Sequence, residues 1–323
     1  MSEYHFDWSE LAFASKKPLR SLRAVFIAAP RELSEKRFVQ LIKAYLPHAN
    51  LVFGLAKEQY VDGFDGQPQF KMLRAEMVQP IIDKVNASKS PHKVYTLDYF
   101  QRELPHILEK GDFKKAIFVN GSWQRSFHLR PEFYMLVNSH IAYELVSPFV
   151  DEAEAQAYEA SIQFSEAAKK EAYSAEEMLQ LASQVAQKSF DYSFQTGAVL
   201  GKKAGKHYKL LAESFNRVVP FQTFAMHHGA AREKYFSPAN DANYYDAVHA
   251  EVNLLIAAQK QAINLSGTTL FINLLPCPTC ARMLVETDIA EIIYQQDHSD
   301  GYAVALLERA GKKVTRLVPK EVL

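Results

Sequence analysis

Short apolar runs alternate with longer amphipathic stretches through the first half of the chain. The runs predict buried strands at 23–30, 50–56, 93–97 and 115–120. The amphipathic stretches between them predict helices at 32–46, 70–86 and 100–110. Such alternation is typical of a mostly parallel sheet with helical crossovers. We therefore expect residues 1–150 to form a separate α/β domain of Rossmann-like type.

The first half carries neither of the glycine-rich motifs that hold nucleotide phosphates. Because neither G-x-G-x-x-G nor G-x-x-x-x-G-K-[ST] occurs there, the sequence gives no support for phosphate binding by this domain. The segment GSWQRSFHLR offers Trp123, Arg125 and His128 as ligand contacts, but no other residue supports that assignment. The sequence leaves the role of residues 1–150 open.

An alanine- and glutamate-rich stretch follows the first half. Residues 151–172 read DEAEAQAYEASIQFSEAAKKEA, a composition that favours a helix. We interpret this stretch as a connecting helix, which places a second domain at 173–323.

The second half has its own alternation of elements. Ser174 and Glu177 form a capping-box pattern that opens a helix at 174–189, and a hairpin is predicted from 196–200 and 209–213. After an irregular segment, helices are predicted from about 248, at 281–288 and at 302–310, with strands at 269–274, 291–295 and 313–317. Since a helix separates the last two strands, we expect them to be parallel.

Composition and charge narrow the class of protein. The chain has 323 residues, of which 48% are hydrophobic, and 37 basic side chains balance 37 acidic ones. A globular protein is expected, and the neutral balance disfavours, without excluding, a nucleic-acid partner. The first residues show no apolar signal segment, and no run approaches the length of a membrane span. We expect a cytoplasmic protein without a membrane partner.

Both cysteines of the chain lie in one short segment, which reads LPCPTC. A disulfide between Cys277 and Cys280 would close too small a loop to stabilise the fold much. A redox Cys-x-x-Cys usually follows the first strand of a thioredoxin-like unit, whereas this pair is near the end of the sequence. A metal pair is the third alternative, and it needs further ligands.

His249, in the segment VHAEVNLL at a predicted helix start, supplies a third ligand and gives a His/Cys/Cys set. A structural zinc would take a fourth protein ligand, whereas a catalytic zinc keeps that position for water. The chain has no third cysteine, so a water-bearing site is favoured unless His227, His228 or His298 completes the shell. Glu251, two residues from His249, is then a candidate general base for that water.

H-x-E followed by P-C-x-x-C is the signature of the zinc-dependent nucleobase deaminases. Residues from about 174 onward resemble the cytidine deaminase-like superfamily, and within it the deoxycytidylate (dCMP) deaminase family most closely. The segments that carry the resemblance are TGAVL, the Asn of AESFN, VHAEVNLL, GTTLFINLLPCPTCARMLVE, EIIYQQD and GYAVALLERAGKKV. The resemblance implies a three-layer α/β/α fold with parallel final strands.

The resemblance also implies roles for single residues. One catalytic zinc would be held by His249, Cys277 and Cys280, with Glu251 as the proton shuttle. The residues that would contact substrate are Asn216, Arg217, Ala250, Pro276 and Tyr245. Arg217 stands where the family commonly has glycine, and it is a candidate phosphate contact.

The activity implied is hydrolytic deamination of a cytosine nucleotide, with dCMP converted to dUMP and ammonia released. Relatives are commonly dimers or hexamers, so a homo-oligomer is expected. One alternative is deamination of a base in RNA or DNA, of the tRNA-adenosine-deaminase or cytidine-editing kind. The other is a catalytically silent protein that binds a nucleotide as a sensor.

Overall fold

The computed structural model describes residues 12–13, 19–29, 31–121, 123, 126–165, 170–238 and 243–318. The chain packs into two compact units. The first comprises Met1–Ile162 and Thr223–Tyr245, and the second comprises Gln163–Gln222 and Asp246–Leu323. The division into 1–150, 151–172 and 173–323 stays a prediction about which segments fold independently.

The first unit is built on a sheet that has six strands within the described residues. They are β1 (Ala12–Phe13), β2 (Val25–Ala28), β3 (Leu51–Ala56), β4 (Val94–Tyr99), β5 (Lys115–Val119) and β6 (Ala142–Val146). The order across the sheet is β1-β4-β3-β2-β5-β6, in which β1 is antiparallel and the other strands are parallel. This is the doubly wound order, so the predicted Rossmann-like α/β architecture is confirmed.

Helices of the first unit pack on both faces of this sheet. The unit contains α1 (Glu35–Tyr45), α2 (Ala75–Asn86), α3 (Leu104–Lys110), α4 (Pro131–Asn138), α5 (Glu152–Ser161), and the short α7 (Phe224–His228) and α8 (Ala231–Lys234), of which α1 to α4 contribute to the core on the two faces. Alternate strand residues point to opposite faces, so Ile27 packs with α1 and α2 while Phe26 packs with α3 and α4. All residues of β2 and β3 are buried, as expected for central parallel strands.

The second unit is a three-layer α/β/α structure, as predicted. Its strands are β7 (Gly197–Ala204), β8 (His207–Phe215), β11 (Thr268–Leu274), β12 (Glu291–Gln296) and β13 (Lys313–Arg316), in the order β13-β12-β11-β7-β8. Two short strands, β9 (Arg217–Val218) and β10 (Ala247–Val248), pair separately. One face of the larger sheet packs on α6 (Ala175–Ala186), and the other packs on α9 (Ala250–Lys260), α10 (Pro278–Val285) and α11 (Tyr302–Arg309).

The topology of this sheet agrees with the sequence analysis. β7 and β8 form the predicted hairpin, and β12 and β13 are parallel, as expected from the helix between them. The helix predicted at 281–288 instead spans Pro278–Val285, because Cys277 takes the N-cap position and Pro278 the first turn. None of the helices within the described ranges is both long and apolar enough to cross a membrane.

Other boundaries differ for local reasons. The helix predicted at 70–86 begins at Ala75, since 68–70 form a separate 3-10 turn. In the connecting stretch, α5 ends at Ser161, and residues 166–169 lie outside the described residues. The sequence analysis missed α4 and β6. The latter is an edge strand with only one fully buried residue, so it lacks the apolar run of a central strand.

Candidate metal centre

Two helix starts bring the three predicted metal ligands together. His249 is the N-cap of α9 and follows β10, whereas Cys277 is the N-cap of α10 and follows β11. Cys280 lies in the first turn of α10 and is buried. The first N–H groups of a helix have no partner inside it and carry a partial positive charge. The partial positive charge at the start of each helix therefore stabilises a thiolate or a hydroxide placed there.

The ligand atoms lie within 4.8 Å of one another. His249 Nδ1 is 3.6 Å from Cys277 Sγ and 3.3 Å from Cys280 Sγ. The backbone N–H of Cys280 donates to Cys277 Sγ at 3.4 Å, which fixes the turn between the two cysteines. In the part of the chain that the structure describes, this is the one group of three such residues close enough to share a metal ion.

The acidic groups of this cluster oppose one another's ionisation. Hydrogen bonding to Cys280 and then to His249 lowers the pKa of the Cys277 thiol. The neighbouring Cys277 and the burial of its own thiol raise the pKa of Cys280, and the charge of Glu251 adds to the effect. The hydrogen bond to Cys277 raises the pKa of His249. A cation placed among these groups would relieve the repulsion.

Glu251 lies in the first turn of α9 and is only 3% exposed. Burial raises the pKa of its carboxyl, and a hydrogen bond to Cys280 opposes that rise. A buried carboxyl beside two thiols needs a chemical reason, because an uncompensated buried charge is costly. Its place beside the cluster suits a group that exchanges protons with a molecule held there.

Asn216 directly follows β8 and uses both ends of its amide to hold the loop 191–196. Its Oδ1 accepts the N–H of Thr196 at 2.8 Å. Its Nδ2 donates to Asp191 Oδ2 at 3.1 Å and to the carbonyl oxygen of Phe194 at 2.8 Å. Asn216 is thus 5% exposed and positions this loop, and its contact with a substrate stays a prediction.

The other predicted substrate contacts have different surroundings. Ala250 is fully buried at the start of α9, and Pro276 is buried in the turn before Cys277. Arg217 is exposed, and its backbone pairs with Val248, the residue before His249. Tyr245 belongs to the first unit, where the Arg232 guanidinium lies over its ring, 4.8 Å from the ring centre. Their roles toward a substrate stay predictions.

The three histidines considered for a fourth ligand are engaged elsewhere. His227 and His228 belong to the first unit, where Nδ1 of His227 lies 2.6 Å from Ser147 Oγ. The His298 ring makes an edge contact with Phe194, with 6.1 Å between ring centres. None of the three joins the group formed by His249 and the cysteines among the described residues.

Two polar residues around the centre were missed by the sequence analysis. Asp191 accepts the backbone N–H groups of Ser193 and Phe194 as well as the Asn216 amide, and its charge acts on His249. Asn253 in α9 donates to the carbonyl oxygens of Phe215 and Val248. Asparagine is a poor residue for a helix interior, and this was the signal available for Asn253.

Comparison with known proteins agrees with this geometry. Residues 172–296 match the model of the cytidine and deoxycytidylate deaminase zinc-binding region. A probable deoxycytidylate deaminase of Drosophila melanogaster is 29% identical over 136 residues, which are 42% of this chain and 64% of that protein. The deoxycytidylate deaminase of Enterobacteria phage T4 is 28% identical over 109 residues, 32% of this chain and 51% of that protein. The chain thus spans less than two thirds of these relatives' length.

A solved structure resembles the second half more distantly. The dCMP deaminase of cyanophage S-TIM5, in complex with dCMP and dUMP, overlaps 44% of this chain and 95% of its own at 19% identity and a TM-score of 0.34. The family match falls on the part of the chain that holds His249, Cys277 and Cys280. Residues 172–296 are therefore similar to the zinc-binding region of the cytidine and deoxycytidylate deaminases.

Proposed function

We propose that the second unit is a zinc-dependent hydrolytic deaminase of a cytosine nucleotide, with dCMP as its preferred substrate. The observation that carries the proposal is the convergence of His249, Cys277 and Cys280 beside the buried carboxyl of Glu251. Three metal ligands by themselves would also be compatible with a structural metal site. A hydrolytic site needs in addition a group that transfers protons, and the buried carboxyl of Glu251 provides one.

The donor set fits zinc. One imidazole and two thiols are ligands that zinc accepts in tetrahedral sites, and thiolates disfavour magnesium and calcium. Burial raises the pKa of Glu251, and the hydrogen bond to Cys277 together with burial raises that of Cys280. A divalent cation would favour the ionised forms of both groups. Three protein ligands leave one tetrahedral position for a water molecule.

A zinc ion held by His249, Cys277 and Cys280 would supply a Lewis acid that activates a water molecule. Glu251 would accept a proton from the water that adds to C4 of the cytosine ring. It would deliver protons to ring N3 and to the departing amine, so that the two water protons end on the uracil product and on ammonia. Burial raises the pKa of Glu251, which is the direction that a proton-transferring carboxyl needs.

The names of the relatives support dCMP, since those from Drosophila and phage T4 are both deoxycytidylate deaminases. We propose that Asn216, Ala250 and Pro276 contact the nucleoside and that Arg217 contacts the phosphate. The equal counts of basic and acidic residues suit a small nucleotide better than a polynucleotide. We also propose a cytoplasmic homo-oligomer, in line with the family.

The test is ammonia release by the purified full-length chain from dCMP, CMP, dCTP, deoxycytidine and a cytosine-containing oligonucleotide. The proposal predicts the highest kcat/KM with dCMP. Turnover of the oligonucleotide alone would instead support a nucleic-acid deaminase. Nucleotide binding without any turnover by zinc-loaded protein would support a sensor, and either result would overturn the proposal.

A further inference from the structure

The hairpin of the second unit concentrates positive charge in a chain that is neutral as a whole. Residues 197–212 contain four lysines and no aspartate or glutamate, whereas the chain has 37 basic and 37 acidic residues. The four are Lys202 and Lys203 in β7, Lys206 in the turn and Lys209 in β8, and all of them are exposed. We call these four lysines the basic hairpin.

The tip of the hairpin extends past the start of the neighbouring strand. β7 pairs with β11 only as far as Lys202, which lies opposite Thr268, the first residue of β11. β7 and β8 continue to pair as far as Ala204 and His207. A Cβ added at Gly205, in the turn, would meet nothing within 4 Å. The tip is therefore a two-stranded ribbon that a large molecule can approach.

Two lysines of the basic hairpin face each other across its strands. Lys202 and Lys209 are directly opposite in the register of β7 and β8, which places their Cβ atoms about 4.5–5.5 Å apart. Like charges in this position destabilise a strand pair. Lys202 is held in place because its Nζ donates to the carbonyl oxygen of Ser266. An anion bound between the two ammonium groups would remove their repulsion.

No acidic side chain among the described residues forms an ion pair with any of these four lysines. The acidic residues nearby bind other lysines. Glu291, at the same end of the sheet, binds Lys313 at 2.6 Å. Glu177, whose carboxylate senses the charge of His207, binds Lys170 at 2.6 Å. The charge of the basic hairpin is therefore not neutralised within the described chain.

The shape of this surface favours duplex DNA as the polyanion. Two paired strands lie about 4.8 Å apart, and the major groove of DNA, about 12 Å wide, admits a two-stranded ribbon. Proteins that bind single strands stack the bases on aromatic side chains. The tyrosine of the hairpin does not provide such a platform, because Tyr208 is buried against Phe271 with 4.8 Å between ring centres.

We propose that the basic hairpin binds the phosphate backbone of double-stranded DNA without reading its sequence. The hairpin lies at the amino end of β11, whereas Cys277 follows the carboxyl end of that strand. The seven residues of β11, at about 3.3 Å each, separate the two ends by roughly 20 Å. The duplex is thus bound away from the metal centre, and the proposal does not depend on the activity proposed there.

The test is the fluorescence anisotropy of a labelled DNA duplex titrated with the full-length chain at several salt concentrations. A protein that neutralises Z phosphates gives a slope of about −0.9Z in a plot of log K against log salt. Four lysines therefore predict a slope of about −3.6, and an affinity that falls about a hundredfold between about 50 and 200 mM salt. An unlabelled duplex of unrelated sequence should compete equally well.

A charge reversal at the tip separates this surface from the charge of the whole chain. Lys203→Glu combined with Lys206→Glu should weaken binding at least tenfold at about 50 mM salt and reduce the slope to about −1.8 or less. The matched control combines Lys36→Glu with Lys89→Glu, which changes the net charge equally at exposed positions of the first unit. The control should bind DNA within about threefold of wild type. Because all four positions are exposed, both variants should keep the wild-type Tm.

Four outcomes would overturn the proposal. The first is no change of anisotropy at about 50 mM salt. The second is an equal loss of binding in the control variant, which would assign the effect to net charge. The third is competition by polyglutamate as strong as that by unlabelled duplex, which would point to an acidic protein as the partner. The fourth is tighter binding of a single strand than of the duplex.

Discussion

His249 Nδ1 lies 3.3 Å from Cys280 Sγ, although a helix and a strand separate the two residues along the chain. Both residues stand at the start of a helix on the same face of the second sheet, α9 for the histidine and α10 for the cysteine. The sheet fixes where these helices begin, and the helix starts bring the three ligand side chains together.

Removal of the metal should destabilise the protein. A ligand that binds the folded state alone, at about a hundred times its Kd, adds about 2.7 kcal/mol to the free energy of unfolding. We expect a chelator to lower Tm of the wild-type protein, and Cys280→Ser to lower both the zinc content and Tm. Metal analysis and thermal scans would measure this. If a chelator left the wild-type Tm unchanged, the metal assignment would be wrong.

Gly197 should tolerate no side chain. A Cβ added there would lie 2.0 Å from the carbonyl oxygen of Ala182 and 2.6 Å from the backbone nitrogen of Ala186, both in α6. Because backbone atoms cannot rotate away, we expect Gly197→Ala to cost roughly 1–3 kcal/mol of unfolding free energy. Urea denaturation measures the difference.

The control for this substitution is Gly205→Asn, at the turn between β7 and β8. Gly205 has a φ of +64° and nothing within 4 Å of an added Cβ. Asparagine tolerates this backbone region, so the change should stay within about 0.5 kcal/mol. Equal stability of Gly197→Ala and wild type would contradict the close packing of β7 on α6.

Asn216→Ala should loosen the loop that lies beside the centre. The substitution removes the acceptor of the Thr196 N–H and a donor to Asp191. Leaving such buried groups without partners costs about 1–3 kcal/mol, and we expect kcat/KM to fall as the loop shifts. The exposed Asn264, whose side chain accepts the N–H of Ser266, provides the matched control Asn264→Ala. If the two variants were equally stable, Asn216 would not hold the loop.

A pH effect is expected on the first unit at Glu144. Its carboxylate accepts from Lys115 Nζ at 2.6 Å and from the Tyr45 hydroxyl at 2.8 Å. The Lys115 hydrogen bond, aided by Tyr45, lowers the pKa of Glu144. A lowered pKa in the folded state adds stability above the unfolded pKa, and this stability is lost as the pH falls through the folded value.

Glu144→Gln should therefore be less stable than wild type at pH 7, by less than about 1 kcal/mol since the pair is partly exposed. The difference should shrink as the pH falls below the ordinary glutamate pKa of about 4.3 and through the lowered folded value, where the wild-type carboxyl becomes protonated. Urea midpoints at several pH values measure it, with Glu109→Gln as an exposed control. If the stability difference between wild type and Glu144→Gln instead grew as the pH was lowered, the pKa of Glu144 could not be lowered in the folded protein.

The sequence predicted the ligand set because the chemistry is concentrated in few residues. The chain has two cysteines, both in one turn, and a His-x-Glu triplet at a helix start, so few other combinations were open. The parallel β12 and β13 followed from the helix between them. These features depend on local pattern and chain connectivity, which a sequence displays.

Other features depend on contacts between distant segments. Asn216 was predicted as a substrate contact from the resemblance, but its bond to Asp191 joins residues on opposite sides of the β7–β8 hairpin. Residues 223–245 show no regular apolar pattern, yet they pack with the first unit, where Glu233 accepts from Trp123 Nε1 at 3.4 Å. Periodicity predicts the elements of a chain, whereas it does not show which segments meet.

The most direct test of the account is the rate of ammonia release from dCMP by zinc-loaded wild-type protein and by Glu251→Gln, with zinc measured in both samples. Glutamine keeps the shape of the side chain but cannot transfer the proton. We predict a full complement of zinc in both proteins and a kcat lower by about a hundredfold to ten-thousandfold in the variant. Glu286→Gln, at an exposed position after α10, should match wild type. Unchanged kcat in Glu251→Gln with zinc retained would contradict the assignment of Glu251 and the mechanism built on it.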